Sequence, residues 1–72
     1  MRDPRFDYVC HVQRVLNAER MDAGLERLTY RWCKRMVELH FNEAKAAGDE
    51  RAVREAKLVE LIRSKAPHPV TV

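Results

Sequence analysis

An all-α fold is predicted for this 72-residue chain by three observations. Its prolines stand only at positions 4, 67 and 69, only two glycines lie between them, and apolar residues recur at three- and four-residue spacing. Proline inside a helix removes a hydrogen bond and clashes with the preceding turn, so residues 5–66 contain nothing that forbids a helix. A domain of this size buries only about 60% of the surface that its unfolded chain exposes, so every helix must feed one shared core. The expected architecture is a compact three-helix domain over residues 1–66, with a long central second helix and an extended C-terminal tail over 67–72.

The first helix opens at Asp3-Pro4, where Asp is a good cap and Pro suits the first helical position, and it runs to between Asn17 and Arg20. At about 100° per residue, Tyr8, Val9, Val12, Val15 and Leu16 share one arc, with Phe6 at its edge and Asp7, His11 and Arg14 opposite. Asp22-Ala-Gly24 breaks the pattern, and Asp22 is the expected cap of a second helix from about Ala23 to Ala47, roughly 36 Å long. Two apolar stripes run along it: Leu25, Leu28, Trp32, Met36 and Leu39, and beside them Tyr30, Cys33, Val37, Phe41 and Ala44. Together they exceed what one neighbour can hide, which places this helix between the other two. Gly48 is expected as a left-handed C-terminal cap and Asp49 as the N-terminal cap of a third helix from about Glu50 to Lys65. On it Ala52, Ala56, Leu58, Val59 and Ile62 are assigned to the core, and Pro67 ends it.

Charge is distributed unevenly. Residues 1–35 hold eight Lys/Arg against five Asp/Glu, whereas residues 36–72 hold six of each, so the net charge of +3 arises in the first half. Its densest part is Arg27-Leu-Thr-Tyr-Arg-Trp-Cys-Lys-Arg35. On a continuous second helix Arg27, Arg31, Lys34, Arg35 and Lys45 fill the arc that the apolar stripes leave free, shared only with Glu38 and Asn42. Such a ridge suits an acidic protein surface or a nucleic-acid backbone, or is simply the solvated side that keeps a helix dissolved. Arg27, Tyr30, Arg31, Lys34 and Arg35 are the candidate partner-binding residues, with Tyr30 as an exposed anchor and Trp32 assigned to the core.

Other chemistry is poorly represented. Cys10, His11, Cys33 and His40 supply zinc-ligand residue types, but without a C-x2-C or H-x3-H spacing, so no metal is expected and the thiols are read as free. No phosphate loop, nucleophile elbow or His-Glu-x-x-His motif occurs, so neither an enzyme nor a cofactor is expected. The N-terminus lacks a signal peptide's apolar stretch and no apolar run approaches a membrane span, which points to the cytoplasm. A helix-turn-helix that reads bases is disfavoured by a long second helix that is apolar around most of its girth.

In length, helical and charged character, and the Tyr30-Arg-Trp-Cys-Lys-Arg35 basic-aromatic segment, the chain resembles the small RNA-polymerase-binding transcription regulators of Xanthomonas phages. The resemblance is one of overall profile and carries no residue-by-residue assignment. It implies a phage protein in the host cytoplasm that binds bacterial RNA polymerase, blocks initiation at host promoters and lets the elongating enzyme pass terminators. The expectation is a protein-binding regulator, monomeric or homodimeric; the alternative is a helical protein that tracks phosphates with the same ridge.

Overall fold

The computed structural model describes residues 5–67, which contain three helices and no strand: α1 (Phe6–Asp22), α2 (Tyr30–Ala47) and α3 (Arg51–Arg63). Each helix packs against the other two. Their shared core is Val9, Val12 and Leu16 from α1, Cys33, Val37 and Ala44 from α2, and Leu58, Val59 and Ile62 from α3, closed by Leu28 and Ala66 from the connecting segments. Tyr8, Val15, Trp32, Met36 and Phe41 pack around it, half-buried. The expected arc of α1 is thus the buried one. Asp3-Pro4 and residues 68–72 of the expected tail lie outside the described residues.

The second helix begins at Tyr30, seven residues later than Ala23, and its 18 residues span about 27 Å. The physical reason lies in α1. Gly24 takes the left-handed conformation at φ 73°, the Gly24 N–H donates to the Met21 carbonyl at 3.1 Å, and the Leu25 N–H donates to the Arg20 carbonyl at 2.7 Å. This is a Schellman closure, which satisfies the last carbonyls of α1 and turns the chain out of helix. Polar side chains of α1 then hold the following segment. Asn17 is bidentate to the Leu28 backbone, accepting its N–H at 2.6 Å and donating to its carbonyl at 3.1 Å, while Gln13 donates to the same carbonyl at 3.3 Å. Arg20, 9% exposed, donates from Nε to the Glu26 carbonyl at 2.5 Å and from Nη1 to the Pro67 carbonyl at 2.8 Å. With its backbone partnered by α1, this stretch buries Leu28 without being helical. Thr29 rather than Asp22 caps α2, its Oγ1 accepting the Trp32 N–H at 3.1 Å.

The α2–α3 turn also departs from expectation. Gly48 is extended at φ 161°, not left-handed; a Cβ there would meet Val53 Cγ1 at 3.1 Å, so glycine serves close approach instead. Glu50 occupies the N-cap position of α3 with no side-chain cap bond. Asp49 instead approaches Arg54 Nη2 at 3.5 Å, and Arg54 Nε donates to the Gly48 carbonyl at 2.9 Å. α3 ends at Arg63 rather than Lys65. Ala52 and Ala56, assigned to the core from their spacing, are exposed. Pro67, assigned to the free tail, has its carbonyl held by Arg20.

Asn17→Ala leaves the Leu28 N–H without its partner, which costs about 1–3 kcal/mol and lowers the melting temperature by roughly 10 °C. Asn17→Asp, which keeps the acceptor and loses the donor, falls between. Thermal denaturation of the two variants checks the ordering; equal melting temperatures for Asn17→Ala and the parent protein are incompatible with the clamp.

Candidate interaction surface on the second helix

The late start of α2 rearranges the candidate site. Arg27 is not on the helix; it lines an open depression over α1 with Cys10, Gln13, Arg14, Asn17, Ala18 and Met21. Arg31, Lys34 and Arg35 remain together on the outer face of α2 and line, with Glu38, an open depression of about 490 Å³. Lys45 lies two turns further along the same arc, exposed. Tyr30 is exposed, as expected, at 37%, and one side of its ring also rests on Phe6, ring centroids 5.9 Å apart. Beside it Tyr8 and Phe41 meet edge-on at 5.4 Å, with the Arg5 guanidinium 4.5 Å over the Phe41 ring and that of Arg51 5.9 Å over Tyr8. This aromatic seam closes α1 onto α2 beside the edge of the helix that carries Lys34 and Lys45.

Pairing distinguishes α2 from α3. Every base of α3 has an intramolecular partner: Arg51 with Glu55 at 3.5 Å, Arg54 with Asp49, Lys57 with Glu60 at 3.9 Å, and Arg63 bidentate to Glu19 of α1 at 2.9 and 2.6 Å. No base of α2 does: the side chains of Arg31, Lys34, Arg35 and Lys45 form no ion pair or hydrogen bond with any described residue. The first turn of α2 also lacks an acidic residue, so cations occupy the positive end of the helix dipole. Such placement costs about 0.3–1 kcal/mol per charge, and the Arg31/Arg35 like-charge pair adds a few tenths.

A second departure concerns the apolar stripes. Cys33, Val37 and Ala44 are fully buried and Trp32 and Met36 half-buried, but Leu39 is 66% exposed, the most exposed large apolar side chain described. α1 and α3 together hide only part of the girth of α2, and Leu39 lies beyond it. Exposed residues thus include both a cationic arc and an apolar position beside it.

Several other ionisable groups pair within the fold. His11, expected to point away from the core, brings Nδ1 within 3.1 Å of Glu55 on α3 and 3.4 Å of Arg14 Nη2. His40 lies 3.1 Å from Glu43. Hydrogen bonding to Arg63 holds the Glu19 carboxyl below its ordinary range, against a small opposing effect of burial, and raises Arg63 in return. Both partners are about half-exposed, so solvent screening keeps the bridge's contribution small. Cys10 and Cys33 are free, and no three of His, Cys, Asp and Glu converge as metal ligands among the described residues. No helix of the described residues is long and apolar enough to cross a membrane.

Sequence reasoning missed Arg20, Asn17 and Gln13, whose clamp determines where α2 begins. A signal exists: positions 13, 17 and 20 follow four- and three-residue steps, a row of hydrogen-bonding side chains bordering the apolar arc of α1. Comparison with protein families, with curated proteins and with solved structures found no match.

Burial pushes the Cys33 thiol up from an ordinary value of 9.0 to about 11, while Cys10 is only half-buried. Because the folded value lies above the unfolded one, this group's contribution to stability is complete below pH 9.0 and is lost as pH rises through about 11. At about pH 8, iodoacetamide should alkylate Cys10 at least roughly tenfold faster than Cys33, which reacts only on opening of the fold. Peptide mass mapping over time reads both rates; parity between them would contradict the burial.

Proposed function

We propose that this chain is a non-catalytic regulatory protein that binds an acidic surface on a larger assembly through Arg31, Lys34 and Arg35 of α2. The observation that carries the reading is the contrast in pairing: each Lys and Arg of α3 has an acidic partner within the fold, and none of α2 has one among the described residues. Unpaired like charges at a helix N-terminus work against folding, so an external counter-charge gives them a purpose that intramolecular packing does not. Glu38, set among these bases, favours a mixed protein surface over a phosphate backbone, which it repels.

The profile resemblance of Tyr30-Arg-Trp-Cys-Lys-Arg35 to phage transcription regulators makes bacterial RNA polymerase the first assembly to test, with inhibition or redirection of transcription as the proposed outcome. The chain acts in this reading as an occluding ligand, contributing no reacting group. Phosphate tracking is the competing use of the same arc.

The test is affinity capture from a bacterial lysate and from purified RNA polymerase, with the Arg31→Glu/Lys34→Glu variant alongside. Capture of polymerase by the parent protein and loss of at least about tenfold in affinity for the variant is the expected result; a rim charge typically acts through association rate and salt dependence. The variant's melting temperature should stay level or rise by a few degrees, because acids at the start of α2 suit the dipole. A marked fall would make the arc structural. Nanomolar binding of arbitrary duplex DNA, weakening roughly a thousandfold between about 50 and 200 mM salt, would transfer the arc to phosphate tracking.

A further inference from the structure

We propose that two copies of this chain pair antiparallel along α2, about a two-fold axis that passes beside Leu39. Three positions on one stripe of α2 stand seven residues apart: Trp32, Leu39 and Ala46. That is the seam spacing of paired helices. All three reach solvent: Leu39 is 66% exposed, Ala46 is exposed and Trp32 is half-buried. An antiparallel two-fold centred on Leu39 places it on its own copy and sets the bulky Trp32 against the small Ala46 of the second copy, twice over by symmetry.

The charges flanking this seam select the second copy as its occupant. Arg35 lies four residues before Leu39 and Glu43 four residues after it, so the same axis brings Arg35 of each copy opposite Glu43 of the other. Arg35 has no ion-pair partner among the described residues. The Glu43 side chain is 57% exposed and engages His40 through Oε1, leaving its other oxygen open. Arg31, at the start of α2, comes to lie near Ala47 of the opposing helix, where the carbonyls at the C-terminal end attract a cation. A parallel arrangement would instead set Arg35 on Arg35 and Glu43 on Glu43, which like-charge repulsion disfavours.

The seam is about a quarter-turn around α2 from the centre of the cationic arc formed by Arg31, Lys34, Glu38 and Lys45. Pairing leaves Lys34 and Lys45 facing outward in both copies but engages Arg35 and draws Arg31 to the opposing helix end, so in the dimer the acidic-partner reading rests on Lys34 and Lys45. One helix pair buries less than the roughly 1,200–2,000 Å² of standard interfaces, so the dimer is a weak one, forming on the order of 100 µM.

Sedimentation equilibrium of the full chain from about 10 µM to about 1 mM tests this. The weight-average mass should climb with concentration from that of one 8.5 kDa chain toward twice that value. Leu39→Asp should weaken association at least tenfold, and Arg35→Glu and Glu43→Arg should each weaken it severalfold. Their combination, which rebuilds both bridges with reversed sign, should recover association to within about threefold of the parent protein. Circular dichroism confirms in each case that the helices persist. A mass that stays at one chain throughout, undiminished association of Leu39→Asp, or failure of the paired reversal to recover what either single change loses would each overturn the proposal.

Discussion

The fold depends on an exchange of hydrogen bonds between the side chains of α1 and the backbone that follows it. Chain that enters a core without forming a helix carries amides and carbonyls that must be satisfied, at a cost of about 1–3 kcal/mol for each one left over. Asn17, Gln13 and Arg20 meet that demand for Glu26 and Leu28. Arg20 extends the same service to Pro67, so the end of α1 holds both the segment entering α2 and the one leaving α3. Its guanidinium is buried yet faces carbonyl dipoles rather than a carboxylate, an arrangement that spreads one charge over two connections.

That exchange reaches the surface. By holding residues 26–28 against α1, it prevents α2 from starting at Ala23 and moves Arg27 off the helix. What is left on the outer face is a shorter cationic arc, placed at the positive end of the helix dipole. The same bonds thus decide which bases act together and how strongly the fold resists their proximity.

How much of this was legible follows from the range of each interaction. The apolar arc of α1, the Cys33/Val37/Ala44 row and the Leu58/Val59/Ile62 row were readable because period and burial are coupled within one helix. The start of α2 was not, because Leu25 and Leu28 sustain the helical period while the bonds that hold them out of helix come from α1: Arg20 to Leu25 and Glu26, and Asn17 and Gln13 to Leu28. Leu39, Ala52 and Ala56 were misassigned for a different reason: periodicity gives the width of an apolar face and not the number of neighbours available to cover it. Of the candidate site, Arg31, Lys34 and Arg35 keep company as read, and Tyr30 divides itself between solvent and Phe6.

The two proposed surfaces of α2 bear on each other. A single arc of three neighbouring bases with an acid among them makes a modest electrostatic contact, whose contribution salt readily screens. Two arcs held on one dimer act on a partner with two acidic sites as a linked pair, and linkage multiplies affinity without any new contact. The apolar seam and the cationic arc then divide the work. In the proposed dimer, Leu39 and the Arg35–Glu43 exchange set how many arcs are presented, and Lys34 and Lys45 supply the charge left open. A fold with so small a core gains by this division: in the proposed dimer, added stabilisation arises on the side of α2 that α1 and α3 leave uncovered, with Arg35 committed to the pairing and Lys34 and Lys45 left open.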